Sequence, residues 1–190
     1  MIHCTIDIKS GKAEPWSRLQ TAAYTIMEES PELEFDEELH VYRFHGKILP
    51  SVTGILKSEG FIDTSFYDEW SRTRGSFVHK ATYLDDQDQL DEASLDPVIL
   101  PYVEAWRNFR YQSGFTPIIS ERPMVCPSLL YCGKPDVIGM FPTGTILRGV
   151  VELRNDGTYK LIPHQDHADI DIWRSVVAVH NWKKNMRGGK

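Results

Sequence analysis

MIHCTIDIK, residues 1–9, is the stretch that decides the fold of this 190-residue chain. Every even position from 2 to 8 is apolar, and the positions between them are mostly polar. This alternation with a period of two predicts a β-strand over residues 2–8 that stops at Ser10-Gly11. Asp7 and Lys9 stand two positions apart, so both side chains project from the same face of the predicted strand.

Working outward from this strand, the sequence predicts one domain, 1–190, of the α+β or α/β class, in which helices flank a mixed β-sheet. Helices are expected from Pro15 to about residue 29 and over residues 51–56, 66–84, 97–112 and 166–184. Strands are expected in a hairpin at 41–50 and over residues 118–125, 129–140, 146–154 and 158–162. Residues 30–38 are acidic and aperiodic, which predicts a linker, and residues 85–96 predict an acidic surface loop.

Composition and charge exclude several classes of protein. The chain is 41% apolar and 25% charged, which is incompatible with a disordered chain and sufficient for a core without disulfides. Its 21 basic and 27 acidic residues give a net charge of −6, so a histone-like or general RNA-coating protein is excluded. A polyanionic partner must therefore be met by a local cluster of cations.

The cysteines and the first residues indicate the compartment. Three cysteines without C-x-x-C spacing fit a reducing compartment and argue against a thiolate zinc or iron–sulfur site. The first twelve residues contain acids and bases, and the apolar runs fall far short of the ~20 residues of a membrane span. We therefore expect a soluble cytoplasmic protein.

Several residues carry possible chemistry, each with a plain structural alternative. Asp7 beside Lys9 suits Mg²⁺ and a reacting phosphate, or else lies on a solvated strand face. Asp136 stands where the chain enters an apolar strand, as a metal ligand or as a turn-capping residue. His79, on a predicted helix, is a ligand or a partly buried packing residue.

Gln20 and Tyr24 are four positions apart and share one helical face. Such a pair can hydrogen-bond a nucleotide, although an ordinary pair on a helix surface explains it equally well.

Taken together, four motifs resemble those of the PD-(D/E)XK nuclease superfamily, in particular its RecB-like branch with the phage-type and mitochondrial genome-maintenance exonucleases. They are Gly75-x-x-x-His79, Gly133-x-x-Asp136, Asp7-x-Lys9 and Gln20-x-x-x-Tyr24. The phrases RGSFVH, GKPDVIG, IDIKSG and LQTAAY are similar to phrases of that group, and the likeness covers most of the chain. It implies a restriction-endonuclease-like core and a bacterial or phage-infected host cell.

The order of the motifs departs from that family, in which D-x-K and Q-x-x-x-Y come last. The chain resembles a circularly permuted member: a permuted segment, 1–30, belongs between Gly144 and Thr145, a linker covers 31–38, and 39–190 forms the rest of the core. Permutation is tolerated where new ends fall in exposed turns.

The resemblance implies a Mg²⁺- or Mn²⁺-dependent deoxyribonuclease, most readily an exonuclease, with DNA as its substrate. Asp7 and Asp136 would hold the metal, with His79 and the carbonyl of Ile8 as further ligands. Lys9 would orient or deprotonate the attacking water. Gln20 and Tyr24 would hold the DNA strand in register.

Further charged residues extend this expectation. Glu121 supports the metal in similar enzymes, although a surface pair with Arg122 is the alternative. Arg72, Arg74 and Lys80 flank the His79 helix and are candidates for binding DNA phosphates. The chain also ends in a basic tail that contains Lys183, Lys184, Arg187 and Lys190.

A competing placement keeps the usual motif order and uses Glu152 and Arg154 as an E-x-K-like pair. Arg in place of Lys would impair water activation, so we expect these two residues on a solvated strand face. An alternative function is a nuclease-fold DNA-binding or protein-interaction module with little turnover. A strand-swapped dimer is possible because the first strand could be donated by a second chain.

Overall fold

The computed structural model describes residues 3–63, 68–143 and 147–188, which combine helices with a mixed β-sheet. The strands are β1 (Cys4–Lys9), β2 (Leu33–Asp36), β3 (Val41–Phe44), β4 (Lys47–Leu49), β5 (Thr116–Ser120), β6 (Met124–Cys126), β7 (Tyr131–Gly133), β8 (Val137–Met140), β9 (Arg148–Leu153) and β10 (Tyr159–Pro163). The helices are α1 (Ser17–Thr25), α2 (Val52–Ser58), α3 (Glu69–Asp86), α4 (Leu100–Ser113) and α5 (Ala168–Gly188), with a 3-10 turn at Glu92–Ser94. The predicted mixture of helices and a mixed sheet is confirmed.

The main sheet is built around β1. Its five strands lie in the order β10-β9-β1-β8-β5, so the first strand of the chain occupies the centre. β1 runs parallel to β9, with Asp7 opposite Val150, and antiparallel to β8, with Ile6 opposite Val137. The first residues thus form hydrogen bonds with two strands that come more than 125 positions later.

Both faces of β1 are covered. Cys4, Ile6 and Ile8 are buried in a cluster that includes Trp106 and Phe109 of α4. On the alternate positions, Thr5 and Asp7 are also buried, and α1 packs against β1 and β9. The strand is therefore fully internal, rather than exposed on its polar side.

A second core joins α1, α5 and the smaller sheets. Ala23 and Trp173 are fully buried in it, and the hydroxyl of Tyr131 donates to the carbonyl oxygen of Ala23 at 2.8 Å. The predicted helix start at Ser51 is confirmed, because its side chain accepts a hydrogen bond from Gly54 N. This core holds α1 over the sheet.

Several predicted boundaries were wrong, for local reasons. The expected linker 31–38 contains β2, because Phe35 pairs with Tyr42 in a three-stranded sheet with β3 and β4. The single strand expected over 118–125 is broken at Glu121, which has a positive φ of 51°. The strand expected over 129–140 is divided between β7 and β8.

Some expectations lie partly outside the described residues. The predicted start of the α3 helix at 66, the start of the 146–154 strand and Ile2 are among them, as is the proposed junction at 144–145.

The expected acidic surface loop at 85–96 begins with two buried acids. Asp85 and Asp86 are in the last turn of α3, and Asp85 forms ion pairs with Arg107 and Arg110 of α4. Asp86 accepts hydrogen bonds from Trp106 Nε1 at 2.8 Å and from Ser120 Oγ at 3.1 Å. These contacts tie α3, α4 and β5 together.

Among the described helices, none combines the length and the apolar character that crossing a lipid bilayer demands.

Beside α1, the structure encloses a buried histidine. His164 is 7% exposed, and its Nδ1 lies 2.9 Å from Thr21 Oγ1. Burial, together with Arg148 and Arg18, lowers the pKa of His164 to about 4. The folded protein therefore holds this imidazole in its neutral form.

We predict that His164 makes the protein less stable in mild acid. The unfolded chain takes up a proton near pH 6.5 and the folded chain only near pH 4, so the free energy of unfolding should fall by up to about 3 kcal/mol as pH drops through that window. Urea unfolding at a series of pH values tests this. His164→Gln should flatten the profile, whereas His167→Gln, at a nearby exposed position, should keep it. A wild-type profile in His164→Gln would contradict the assignment.

Candidate active site

Five predicted residues from four parts of the fold meet in one cluster. β1 supplies Asp7 and Lys9, the turn before β8 supplies Asp136, α3 supplies His79, and the break after β5 supplies Glu121. We call these five side chains the carboxylate cluster.

Asp136 is fixed against β1 by the pairing of the two strands. Its Oδ2 accepts a hydrogen bond of 2.6 Å from the amide of Ile8. Asp7, the residue before Ile8, interacts directly with Asp136, and both carboxyl groups are buried. The structure therefore brings together the two carboxylates on which the nuclease interpretation depends.

His79 lies between two acids. Its Nδ1 is 3.3 Å from Glu121 Oε1 and 3.3 Å from Asp136 Oδ1. Ligand atoms of His79, Glu121 and Asp136 lie within 4.8 Å of one another, a spacing at which they could hold one metal ion. The left-handed backbone of Glu121 and the hydrogen bond from its amide to the carbonyl of Asp136 place this carboxylate.

Lys9 lies against Asp7 on the same strand face. Its Nζ is 3.1 Å from Asp7 Oδ1, to which it donates a hydrogen bond, and 2.9 Å from Oδ2. Asp7 Oδ2 is buried and has no hydrogen-bond partner among the described residues. The Trp16 ring lies 5.3 Å from the same ammonium and lines this part of the site.

The cluster divides its charge unevenly. Burial and the adjacent Asp136 raise the pKa of Asp7 to about 7, although Lys9 opposes the shift. Burial also acts to raise the pKa of Asp136, but His79 and Lys9 outweigh it and lower that pKa below its usual range. Burial disfavours the charge on His79, yet Asp136 and Glu121 raise its pKa to about 10. At neutral pH the Asp136 carboxylate and the His79 imidazolium form an ion pair.

Gln20 and Tyr24 are buried beside the cluster, at 8% and 5% exposure. Gln20 Nε2 lies 3.4 Å from the Tyr24 hydroxyl, and Gln20 Oε1 has no hydrogen-bond partner among the described residues. Burial raises the pKa of Tyr24, with further contributions from Asp136 and Asp7. A Cβ on Gly133 would come within 2.8 Å of the Tyr24 ring, so the glycine allows this close approach.

The other predicted DNA-binding residues lie outside the cluster. Arg72 and Lys80 are exposed on α3, and Lys80 lies over the Tyr83 ring. Arg74 lies over the Tyr102 ring. In the tail, Lys183 pairs with Glu59 at 2.6 Å, Lys184 is exposed, and the side chains of Arg187 and Lys190 are outside the described part of the chain.

Two expectations about strand residues change. Ile8 contacts Asp136 through its amide, whereas its carbonyl was the expected ligand. Glu152 is not on a solvated face: it is 8% exposed and its Oε1 accepts a 2.6 Å hydrogen bond from the amide of Ala13. Arg154 is exposed, as expected. Glu152 therefore anchors the loop that leads from Lys9 to α1.

Sequence reasoning missed Lys134, whose Nζ lies 2.8 Å from Glu121 Oε2. Its position two residues before Asp136 was the available signal, because a residue so close to the motif acid must lie near the cluster. The expected pairing of Glu121 with Arg122 is absent from the described contacts, where Arg122 pairs with Glu29 at 2.5 Å.

Comparison with known proteins leaves the cluster to be interpreted on its own chemistry. No protein-family model matches this chain, and no curated protein or solved structure matches it.

Proposed function

We propose that the protein is a Mg²⁺- or Mn²⁺-dependent deoxyribonuclease of the PD-(D/E)XK type that hydrolyses phosphodiester bonds. One observation carries the proposal. Asp7 and Lys9, near the start of the chain, meet Asp136 and His79 in a buried cluster beside Glu121. Oxygen ligands, one imidazole and an adjacent ammonium suit a hard divalent cation and a reacting phosphate.

The sheet order supports the permuted form of this proposal. Taken along the sheet from its β5 edge, the strands are β5, β8, β1, β9 and β10. If β1 and α1 were moved between β8 and β9 in the chain, every strand of this sheet would lie beside the next one. The two later strands would then be joined through β1 and α1, which is the motif order of the family.

The donor set fits a divalent metal. Asp7 Oδ2 is a buried oxygen without a hydrogen-bond partner among the described residues, and His79, Glu121 and Asp136 converge as closely as ligands of one ion. Asp7, Asp136, Glu121 and His79 would hold the metal. When bound, it would supply Lewis-acid stabilisation of charge on the phosphate and lower the pKa of a coordinated water.

The remaining groups act on the water and the strand. Lys9 is a point charge on a flexible stem, so it can orient the attacking water and offset charge on the phosphate. Asp7 holds this ammonium in place through the 2.9 Å ion pair. Gln20 and Tyr24 are buried against the cluster, where they would support the strand or the ligands from below.

We predict that metal binding requires Asp136. Titration calorimetry with Mn²⁺ should show one site in the wild type and at least about tenfold weaker binding in Asp136→Asn, because the amide removes a charged ligand. Asp171→Asn, an exposed acid of α5, is the matched control and should bind as the wild type does. Indistinguishable isotherms for all three proteins would refute the metal site.

We predict that cleavage requires Lys9. With Mg²⁺ or Mn²⁺ on labelled single- and double-stranded DNA, Lys9→Ala should lower kcat by about 10²-fold or more, since it removes charge stabilisation from the transition state. Lys57→Ala, at an exposed position of α2, is the control. Equal cleavage by wild type and Lys9→Ala would reject the mechanism, and DNA binding without cleavage by the wild type would favour a binding module.

A further inference from the structure

A second lysine reaches the carboxylate cluster from the turn that precedes Asp136. Besides its 2.8 Å ion pair with Glu121, Lys134 places its Nζ 5.9 Å from the centre of the Phe35 ring. Phe35 in turn stacks on Tyr42, with 4.4 Å between ring centres. The lysine is thus supported by the edge of the small sheet β2-β3-β4.

Lys9 and Lys134 contact different carboxylates. Lys9 pairs with Asp7, and Lys134 pairs with Oε2 of Glu121. The other oxygen of Glu121, Oε1, is the one that faces His79 at 3.3 Å. Lys134 therefore leaves the oxygen inside the cluster available to a metal ligand set.

The ammonium of Lys134 is accessible. Its side chain is 27% exposed, whereas that of Asp7 is fully buried. A lysine ammonium has three donors, and the described ion pair with Glu121 is a single contact at 2.8 Å. Lysine is also a common partner of phosphate, as a compact point charge.

The charge of the whole chain makes such a contact necessary. At −6, the protein repels a polyanion on average, so substrate must be held by cations inside the site. We propose that Lys134 is a substrate-binding residue whose ammonium contacts a backbone phosphate of the nucleic-acid strand bound at the carboxylate cluster. This inference rests on the proposed function and names the residue that holds the strand on the Glu121 side.

Binding and its salt dependence distinguish a phosphate contact from a mere counter-ion of Glu121. The probe is a fluorescein-labelled single-stranded oligonucleotide, followed by anisotropy with Ca²⁺ in place of Mg²⁺ over a NaCl titration. Lys134→Ala and Lys134→Gln should weaken Kd about tenfold, the effect of losing one charged hydrogen bond. They should also make the slope of log K against log salt shallower by about 0.7, the loss of one phosphate contact on a single strand.

Three further proteins complete the experiment. Lys134→Arg keeps the positive charge and should keep the wild-type slope, and Lys57→Ala should change neither quantity. In cleavage assays Lys134→Ala should raise KM more than it lowers kcat. If the alanine variant does not fold by circular dichroism, the glutamine variant, which keeps most of the aliphatic stem, carries the measurement.

The outcomes separate this inference from the proposed function. Wild-type affinity and slope in Lys134→Ala or in folded Lys134→Gln would overturn the inference, even if the wild type cleaves DNA. A reduced slope in a protein that does not cleave with Mg²⁺ or Mn²⁺ would overturn the proposed function and keep the phosphate contact.

Discussion

The structure depends on the insertion of β1 between β8 and β9. Strand pairing on both sides fixes its register, with Ile6 opposite Val137 and Asp7 opposite Val150. The 2.6 Å hydrogen bond from the Ile8 amide to Asp136 extends this pairing one residue into the turn before β8. Because register has a period of two, a slip of one residue would turn Asp7 and Lys9 into the apolar core around α4 and empty the cluster. Fold and candidate site are therefore set by the same hydrogen bonds.

The parts of the fold that were predictable from sequence are those determined locally. The alternation in residues 1–9, the hairpin at 41–50 and the cap at Ser51 all involve neighbouring residues, and the structure has each of them. The side chains of D-x-K and G-x-x-D were predicted to converge through the resemblance rather than through periodicity. Spacing alone contained no information that β1 would lie beside β8, since the pairing joins residues more than 125 positions apart.

The failed expectations arise from long-range contacts. Asp85 reads as part of an acidic surface loop, but Arg107 and Arg110, more than twenty positions later, neutralise it and allow it to be buried. Glu152 was expected in solvent because its strand is near the end of the sheet, yet the Ala13 amide binds it in the interior. Phe35 reads as linker until Tyr42 supplies a partner for it. In each case a charged or aromatic residue changes its environment because of a partner that a short sequence window does not contain.

Stability alone does not account for the carboxylate cluster. Three acids and their counter-ions must be removed from water, and the interaction within a buried ion pair often fails to repay that desolvation. Asp7 shows the strain, since its pKa is raised to about 7 despite an ammonium at 2.9 Å and its Oδ2 lacks a hydrogen bond from the described residues. Apolar side chains would stabilise the centre of the sheet better. A divalent cation would remove the repulsion between Asp7 and Asp136 and give Oδ2 a partner, so a metal-binding role accounts for residues that folding by itself does not require.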